Sequence, residues 1–124
     1  MKAAEIIERG KRVVRMERDA LAESERRIDE KFAKAVDILA HSTGRAIVSG
    51  VGKSGLVGRK IAATLTSTGT PATFLHPSES LHGDLGIVGE SDVAILISKS
   101  GESNELVALL ADLDRTTLDV RPEW

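Results

Sequence analysis

The stretch Asp92-Val93-Ala94-Ile95-Leu96-Ile97 narrows the possible folds more than any other. Its apolar residues follow one another without the alternation of a strand that has one wet face. Such a run suits a parallel strand covered on both sides. Two shorter runs of similar character precede it, Arg45-Ala46-Ile47-Val48-Ser49 and Ala72-Thr73-Phe74-Leu75. Between those two, residues 54–68 place Leu56, Val57, Ile61, Ala62 and Leu65 on one helical face. Gly69 is positioned to close that helix, with Pro71 just beyond. Residues 103–114 carry Leu106, Val107, Leu109, Leu110 and Leu113 at spacings that predict a second helix. Residues 76–91 are polar and contain glycine, with room for one helical turn. Strand, helix, strand, loop, strand, helix is the order of an α/β domain: a parallel sheet flanked by helices. Thr117 to Val120 has room for one more short strand, so three or four strands are expected.

Residues 2–41 contain no proline. Ile7, Val14, Leu21 and Ile28 recur every seven residues, with Ile6 and Val13 beside them and Phe32, Val36 and Leu39 further on. The spacing predicts one long helix or two consecutive ones. We divide the chain into a helical segment, residues 1–41, and an α/β part, residues 42–124. Residues 1–31 hold nine Lys/Arg and eight Asp/Glu, a mixture that suits a solvated helix face and is not a basic arm. A helix of this length ahead of a small sheet also suggests contact with another subunit.

The formal net charge of -2 argues against a nucleic-acid partner, which calls for a clear cationic excess. The absence of cysteine removes disulfides, thiolate catalysis and thiolate metal sites. No apolar run approaches the ~20 residues that span a bilayer, and the first residues lack an apolar signal-peptide core. A soluble, cytoplasmic protein with no membrane partner is expected. Aromatic residues are only 2% of the chain, so the core must be built from Val, Ile, Leu and Ala.

In a parallel sheet, ligands bind beyond the carboxyl ends of the strands. Three polar loops leave at that edge: GVGKSG (50–55), HPSESLHGDLG (76–86) and SKSGES (98–103). The first matches G-x-G-x-x-G through Gly50, Gly52 and Gly55. A dinucleotide site would also need an acidic residue at the end of the second strand, where Leu75-His76-Pro77 stands. A triphosphate loop would need glycine at position 47, which is Ile. The remaining anion is a monophosphate, drawn to the amide groups and dipole at the start of the 54–68 helix. Ser54 adds a hydroxyl, and Ser98, Ser100 and Ser103 face it from the third loop. A Ser-Gly cluster is also an ordinary turn, with Ser103 as the cap of the last helix. The pairing of two such loops favours phosphate.

Lys53 is suited to polarise a carbonyl or steady an enediolate, although most loop lysines are simply solvated. His76 and His82, with Asp84 close by, are candidates for acid–base work or metal binding, without the spacing of a strong metal site. His41 reads as a favourable charge at a helix C-terminus. Glu102 and Glu105 both suit the first turn of the last helix; Glu105, one turn in, is also placed to move a proton between neighbouring sugar carbons.

Taken together, GVGKSGLVGRKIAATLTSTGTPATFLHPSESLHGDLGIV followed by SKSGESNEL resembles the D-arabinose 5-phosphate isomerases, a branch of the sugar isomerase (SIS) domain proteins. The resemblance covers most of residues 45–110. It implies a Rossmann-like SIS sheet that binds phosphosugars and interconverts D-ribulose 5-phosphate and D-arabinose 5-phosphate for Kdo, lipopolysaccharide or capsule biosynthesis. It also implies a homo-oligomer, typically a tetramer, with no organic cofactor. By this similarity Lys53 and Glu105 take catalytic positions, with Glu105 or His82 as the base. Ser54, Ser98, Ser100 and Ser103 hold the phosphate, His82, Gly69 and Thr70 contact substrate, and His76 takes a position open to zinc. Lys99 stands where the family usually has Asn. The family domain continues past Leu113 with further strands and helices and a second Glu and a His of the site, and many members add CBS modules. Only the N-terminal part of an SIS domain is therefore expected here, without CBS modules. A phosphosugar-binding module without turnover, or an inactive fragment, is the alternative.

Overall fold

A computed structural model describes residues 1–78, 88–100, 104 and 117–120. The chain forms two compact units, residues 1–36 and 37–124.

The first unit is helical. Helix α1 runs Ala3–Arg27 and helix α2 Glu30–Ala40, the second helix continuing into the other unit. The break falls at Ile28, whose backbone is extended (φ -69°, ψ 117°). Asp29 explains the restart. Its Oδ1 accepts the amide of Lys31 at 2.9 Å, and its carbonyl accepts the amides of Phe32 and Ala33. That is an N-cap, so the pair and not the single helix is what forms. Along α1, Glu5 accepts the amide of Lys2, Glu8 pairs with Arg15, and Glu23 with both Arg26 and Arg27. The hydrogen bonds from Arg26 and Arg27 hold the Glu23 carboxyl below its ordinary range. No residue of α1 is buried. Among the described residues no helix is long and apolar enough to cross a membrane.

The second unit is built on a four-stranded parallel sheet: β1 (Ala46–Gly50), β2 (Ala72–Phe74), β3 (Val93–Ile97) and β4 (Thr117–Val120). The spatial order is β2-β1-β3-β4. The chain thus leaves β1 in one direction for β2 and returns to its other side for β3. Helix α3 (Gly52–Ser67) makes the first crossover. Both central strands are buried along their whole length, as the continuous apolar runs require. Val48, Ile95, Ile97 and Ala62 form the core toward α3, joined by Ile61, Leu65, Phe74 and Leu39. Ala94 and Leu96 point to the opposite face, against Val51 and Val88. The α/β class with a parallel sheet and leading helices is as the sequence implies.

Two details of α3 differ from expectation. The helix begins at Gly52, two residues early, so the glycine motif is partly helical. Its buried face is Gly55, Gly58 and Ala62, whereas Leu56 and Val57 are exposed. Glycine carries no hydrophobic signal, yet here it lets the helix lie against the strand. A Cβ on Gly55 would stand 2.7 Å from the Gly50 carbonyl oxygen. At the far end α3 closes as a Schellman motif: the Thr70 amide bonds the Leu65 carbonyl at 2.8 Å and the Gly69 amide the Thr66 carbonyl at 3.3 Å. Gly69 adopts φ 103°, the left-handed conformation expected of it.

The amino ends of the strands are braced by one carboxylate. Asp92 accepts the amides of Arg45 and Gly89, each at 2.7 Å, and its side chain lies 3.6 Å from the Arg45 guanidinium. This fixes where β1 and β3 start relative to each other, and hence which residues meet at the other edge.

Candidate functional site

Strand order places the site. Where a chain turns one way from β1 and the other way to β3, the two departing loops separate and leave a crevice at the carboxyl edge. Register makes the neighbours explicit: Gly50 pairs with Ile97. The loops that begin at Val51 and Ser98 therefore start side by side, about 5 Å apart across adjacent strands. The first loop turns at once into α3. Gly52 makes that turn with φ 59°, a conformation that a side chain disfavours.

The start of α3 suits an anion. Val51 occupies the N-cap position and makes no side-chain cap, and the first turn holds no acidic residue. The first-turn amides thus face the edge without a carboxylate to compete with an incoming phosphate. Lys53 is exposed at this point and Ser54 half-buried. Across the crevice Ser98 is buried, while Lys99 and Ser100 are exposed. The structure thus brings Lys53, Ser54, Ser98 and Ser100 to one edge, with two cations and three hydroxyls around the switch point. Lys99 adds positive charge there.

His76 leaves the same edge from β2. Its place is set by its neighbours. The Leu75 amide donates to the Val48 carbonyl at 2.8 Å, and the buried Ser49 hydroxyl donates to the Leu75 carbonyl. The His76 Nδ1 accepts the Ser78 amide at 3.2 Å and lies 2.7 Å from the Ser78 hydroxyl. A backbone amide can only donate, so Nδ1 is an acceptor and the ring proton belongs on Nε2. A zinc-bound imidazole needs the reverse, a second nitrogen that donates to an oxygen. Among the described residues no group of three or more His, Cys, Asp or Glu is arranged to hold a metal. Zinc at His76 does not fit this arrangement.

Gly69 and Thr70 are not brought to the crevice. They end α3 next to Pro71, whose carbonyl accepts the amide of Ala46, the first residue of β1. That is the amino edge of the sheet. The 16 residues of α3 separate the two ends by about 24 Å. His82, Asp84, Glu102, Ser103 and Glu105 lie outside the described residues, as does the helix expected over 103–114 apart from Asn104. Sequence reasoning missed Ser49, a hydroxyl inside an apolar strand. Its polar side chain at a fully buried position is the signal that would have found it.

A parallel sheet with a switch point, an uncapped helix start and facing serine loops defines an α/β domain whose crevice is suited to an anion. The chain belongs to the SIS domain family, whose pattern it matches over residues 38–117. It is 51% identical over 106 residues to the arabinose 5-phosphate isomerase KdsD of Shigella flexneri and 48% identical to that of Yersinia pestis, in each case over 86% of this chain. It spans about a third (32%) of the length of these relatives. Among solved structures it is similar to E. coli CFT073 c3406 in complex with arabinose 5-phosphate, with a TM-score of 0.91 and 37% identity over 99% of this chain and 67% of that one.

Proposed function

We propose that the chain carries the phosphate-anchoring part of an arabinose 5-phosphate isomerase that interconverts D-arabinose 5-phosphate and D-ribulose 5-phosphate. The observation that supports this most is the meeting of the Lys53–Ser54 helix start with Ser98 and Ser100 at the β1/β3 switch point. About half of the 106 aligned residues are shared with relatives named for that reaction.

In this reading the α3 amides, Ser54, Ser98, Ser100 and Ser103 hold the phosphate, and its anchoring fixes the reacting carbons. A base, Glu105 or His82, removes the proton from C2 of the open aldose. The electron pair forms the C1–C2 double bond, and the C1 oxygen takes a proton to give the cis-enediol. Returning a proton to C1 and releasing the one on the C2 oxygen completes the ketose. Lys53 steadies the negative charge that builds on oxygen during these transfers. No organic cofactor enters, and no step passes through a metal. The product would serve Kdo, lipopolysaccharide or capsule biosynthesis in the cytoplasm. The protein would act as a homo-oligomer, a tetramer by similarity. Gly69 and Thr70 would contact sugar only from a second copy, because one chain holds them at the opposite edge.

The alternative is phosphosugar binding without turnover. It shares the anchor and differs only in the proton transfer. Titration calorimetry tests the shared part. D-Arabinose 5-phosphate should bind and D-arabinose should not, and Ser54→Ala with Ser98→Ala should weaken binding by tenfold or more, about 1.4 kcal/mol. Equal affinity for the unphosphorylated sugar would overturn the anchor.

A further inference from the structure

His76 holds a half-buried hydrogen-bond donor that no described residue accepts. Strand pairing carries it to the candidate site. The Leu75 amide bonds the Val48 carbonyl at 2.8 Å, so the chain stays paired with β1 beyond Phe74. Side chains alternate along such a segment, which sets His76 on the same face as Phe74. That face carries α3: the Phe74 ring would lie 3.6 Å from a Cβ on Gly55 and 3.1 Å from one on Gly58. Nearer the carboxyl edge than Phe74, His76 comes level with the start of α3, which holds Lys53 and Ser54.

The ring is fixed there. Pro77 and Ser78 open a helical turn, with His76 in the cap position. Its Nδ1 accepts the Ser78 amide at 3.2 Å and lies 2.7 Å from the Ser78 hydroxyl, as a capping oxygen would. Pro77 is fully buried and anchors the turn. Nδ1 is thereby occupied, and the ring proton sits on Nε2 across the ring. Among the described residues Nε2 has no partner. A half-buried N–H without a protein acceptor, at the edge where ligands bind, calls for an acceptor on the ligand.

We propose that Nε2–H of His76 donates a hydrogen bond to a hydroxyl or carbonyl oxygen of the sugar, and that Ser78 is the positioning residue that sets its tautomer. Distance separates this role from phosphate anchoring. The register of Val48 with Phe74, continued, puts His76 beside Gly50, and Gly50 pairs with Ile97 on its other side. Two strand spacings, about 10 Å, thus lie between His76 and the start of the serine loop. With the phosphate held between α3 and that loop, His76 serves the carbon chain. A neutral imidazole N–H in that position polarises a sugar carbonyl without itself ionising.

This role rests on the phosphate anchor proposed above, and its test separates the two. Nitrogen NMR of the isotope-labelled chain reads the tautomer directly, the His76 signals being those lost in His76→Leu. We expect a bare Nδ1 and a protonated Nε2. A proton on Nδ1 would overturn the inference. Ser78→Ala should move the Nδ1 resonance; an unmoved resonance would overturn the part assigned to Ser78. Calorimetry then uses two probes. His76→Leu should weaken D-arabinose 5-phosphate binding about fivefold, the worth of one neutral hydrogen bond, and leave inorganic phosphate binding as it was. His76→Gln returns an N–H donor and should recover most of the loss; no recovery would overturn the donor role. Undiminished sugar-phosphate affinity in His76→Leu, or an equal loss for inorganic phosphate, would overturn the sugar contact and leave the anchor standing. A wild-type chain that binds neither probe would overturn the anchor and this role together.

Discussion

Replacing Gly55 by alanine sets a methyl group against backbone that has nowhere to go. The new Cβ would stand 2.7 Å from the Gly50 carbonyl oxygen and 3.2 Å from its carbon. Neither atom can rotate aside, because Gly50 is paired with Ile97 in the sheet. The start of α3 must therefore move off β1. Overpacking of this kind costs up to about 3 kcal/mol. Alanine in a helix interior returns about 1 kcal/mol relative to glycine. The net loss is about 2 kcal/mol, or roughly 8 °C in Tm for a domain of this size. Displacing the helix start also moves the amides that would face phosphate, so sugar-phosphate affinity should fall with stability. Gly58→Ala is the matched control. Its Cβ would meet side chains, Phe74 at 3.1 Å and Val48 at 3.2 Å, which can shift. The helix gain should then leave the net change within about 1 kcal/mol. Thermal unfolding followed by circular dichroism, with calorimetric titration of D-arabinose 5-phosphate, measures both. Gly55→Ala as stable and as tight-binding as the wild type, or less harmful than Gly58→Ala, would refute the close-approach argument.

Three further outcomes follow from the same geometry. Asp92→Ala removes the acceptor of two backbone amides and should lower stability by about 3 kcal/mol in denaturant unfolding, with little change in the urea slope. Ser49→Ala removes the hydroxyl that holds the Leu75 carbonyl and should cost about 1–2 kcal/mol, with a shifted His76 ring resonance as the local readout. Lys53→Met changes an exposed side chain and should leave Tm within about 1 °C; on the isomerase proposal, turnover should fall by at least a hundredfold and phosphate affinity by much less.

The parts of the fold that could be read from the sequence are those with a continuous local signal. Val93–Ile97 announces a buried parallel strand because every residue in it is apolar, and Gly69 announces a helix end because few other residues accept its conformation. The order of the strands carries no such local sign. It depends on pairings between Ala46, Ala72 and Val93, which are far apart in the chain, and yet it locates the crevice. The break at Ile28 was hidden because the apolar spacing runs through it; Asp29, a good N-cap, was the mark to weigh. Of the face assigned to α3, Ile61, Ala62 and Leu65 do pack on the core, but Leu56 and Val57 are exposed and Gly55 and Gly58 lie inward in their place, because hydrophobicity scales ignore glycine whereas close packing there requires it. At the site, the convergence of the glycine and serine loops was visible from their places after strands. The placement of Gly69 and Thr70 was not, since their assignment came from resemblance and the length of α3 carries them to the other edge.

The most direct test of the isomerase proposal is a proton NMR time course of D-arabinose 5-phosphate in D2O with the 124-residue chain. The account predicts D-ribulose 5-phosphate, with solvent deuterium entering at carbon as the enediol is reprotonated. A folded protein that binds the sugar phosphate while the C2 proton signal stays constant would contradict it, and would leave a phosphosugar-binding domain in its place.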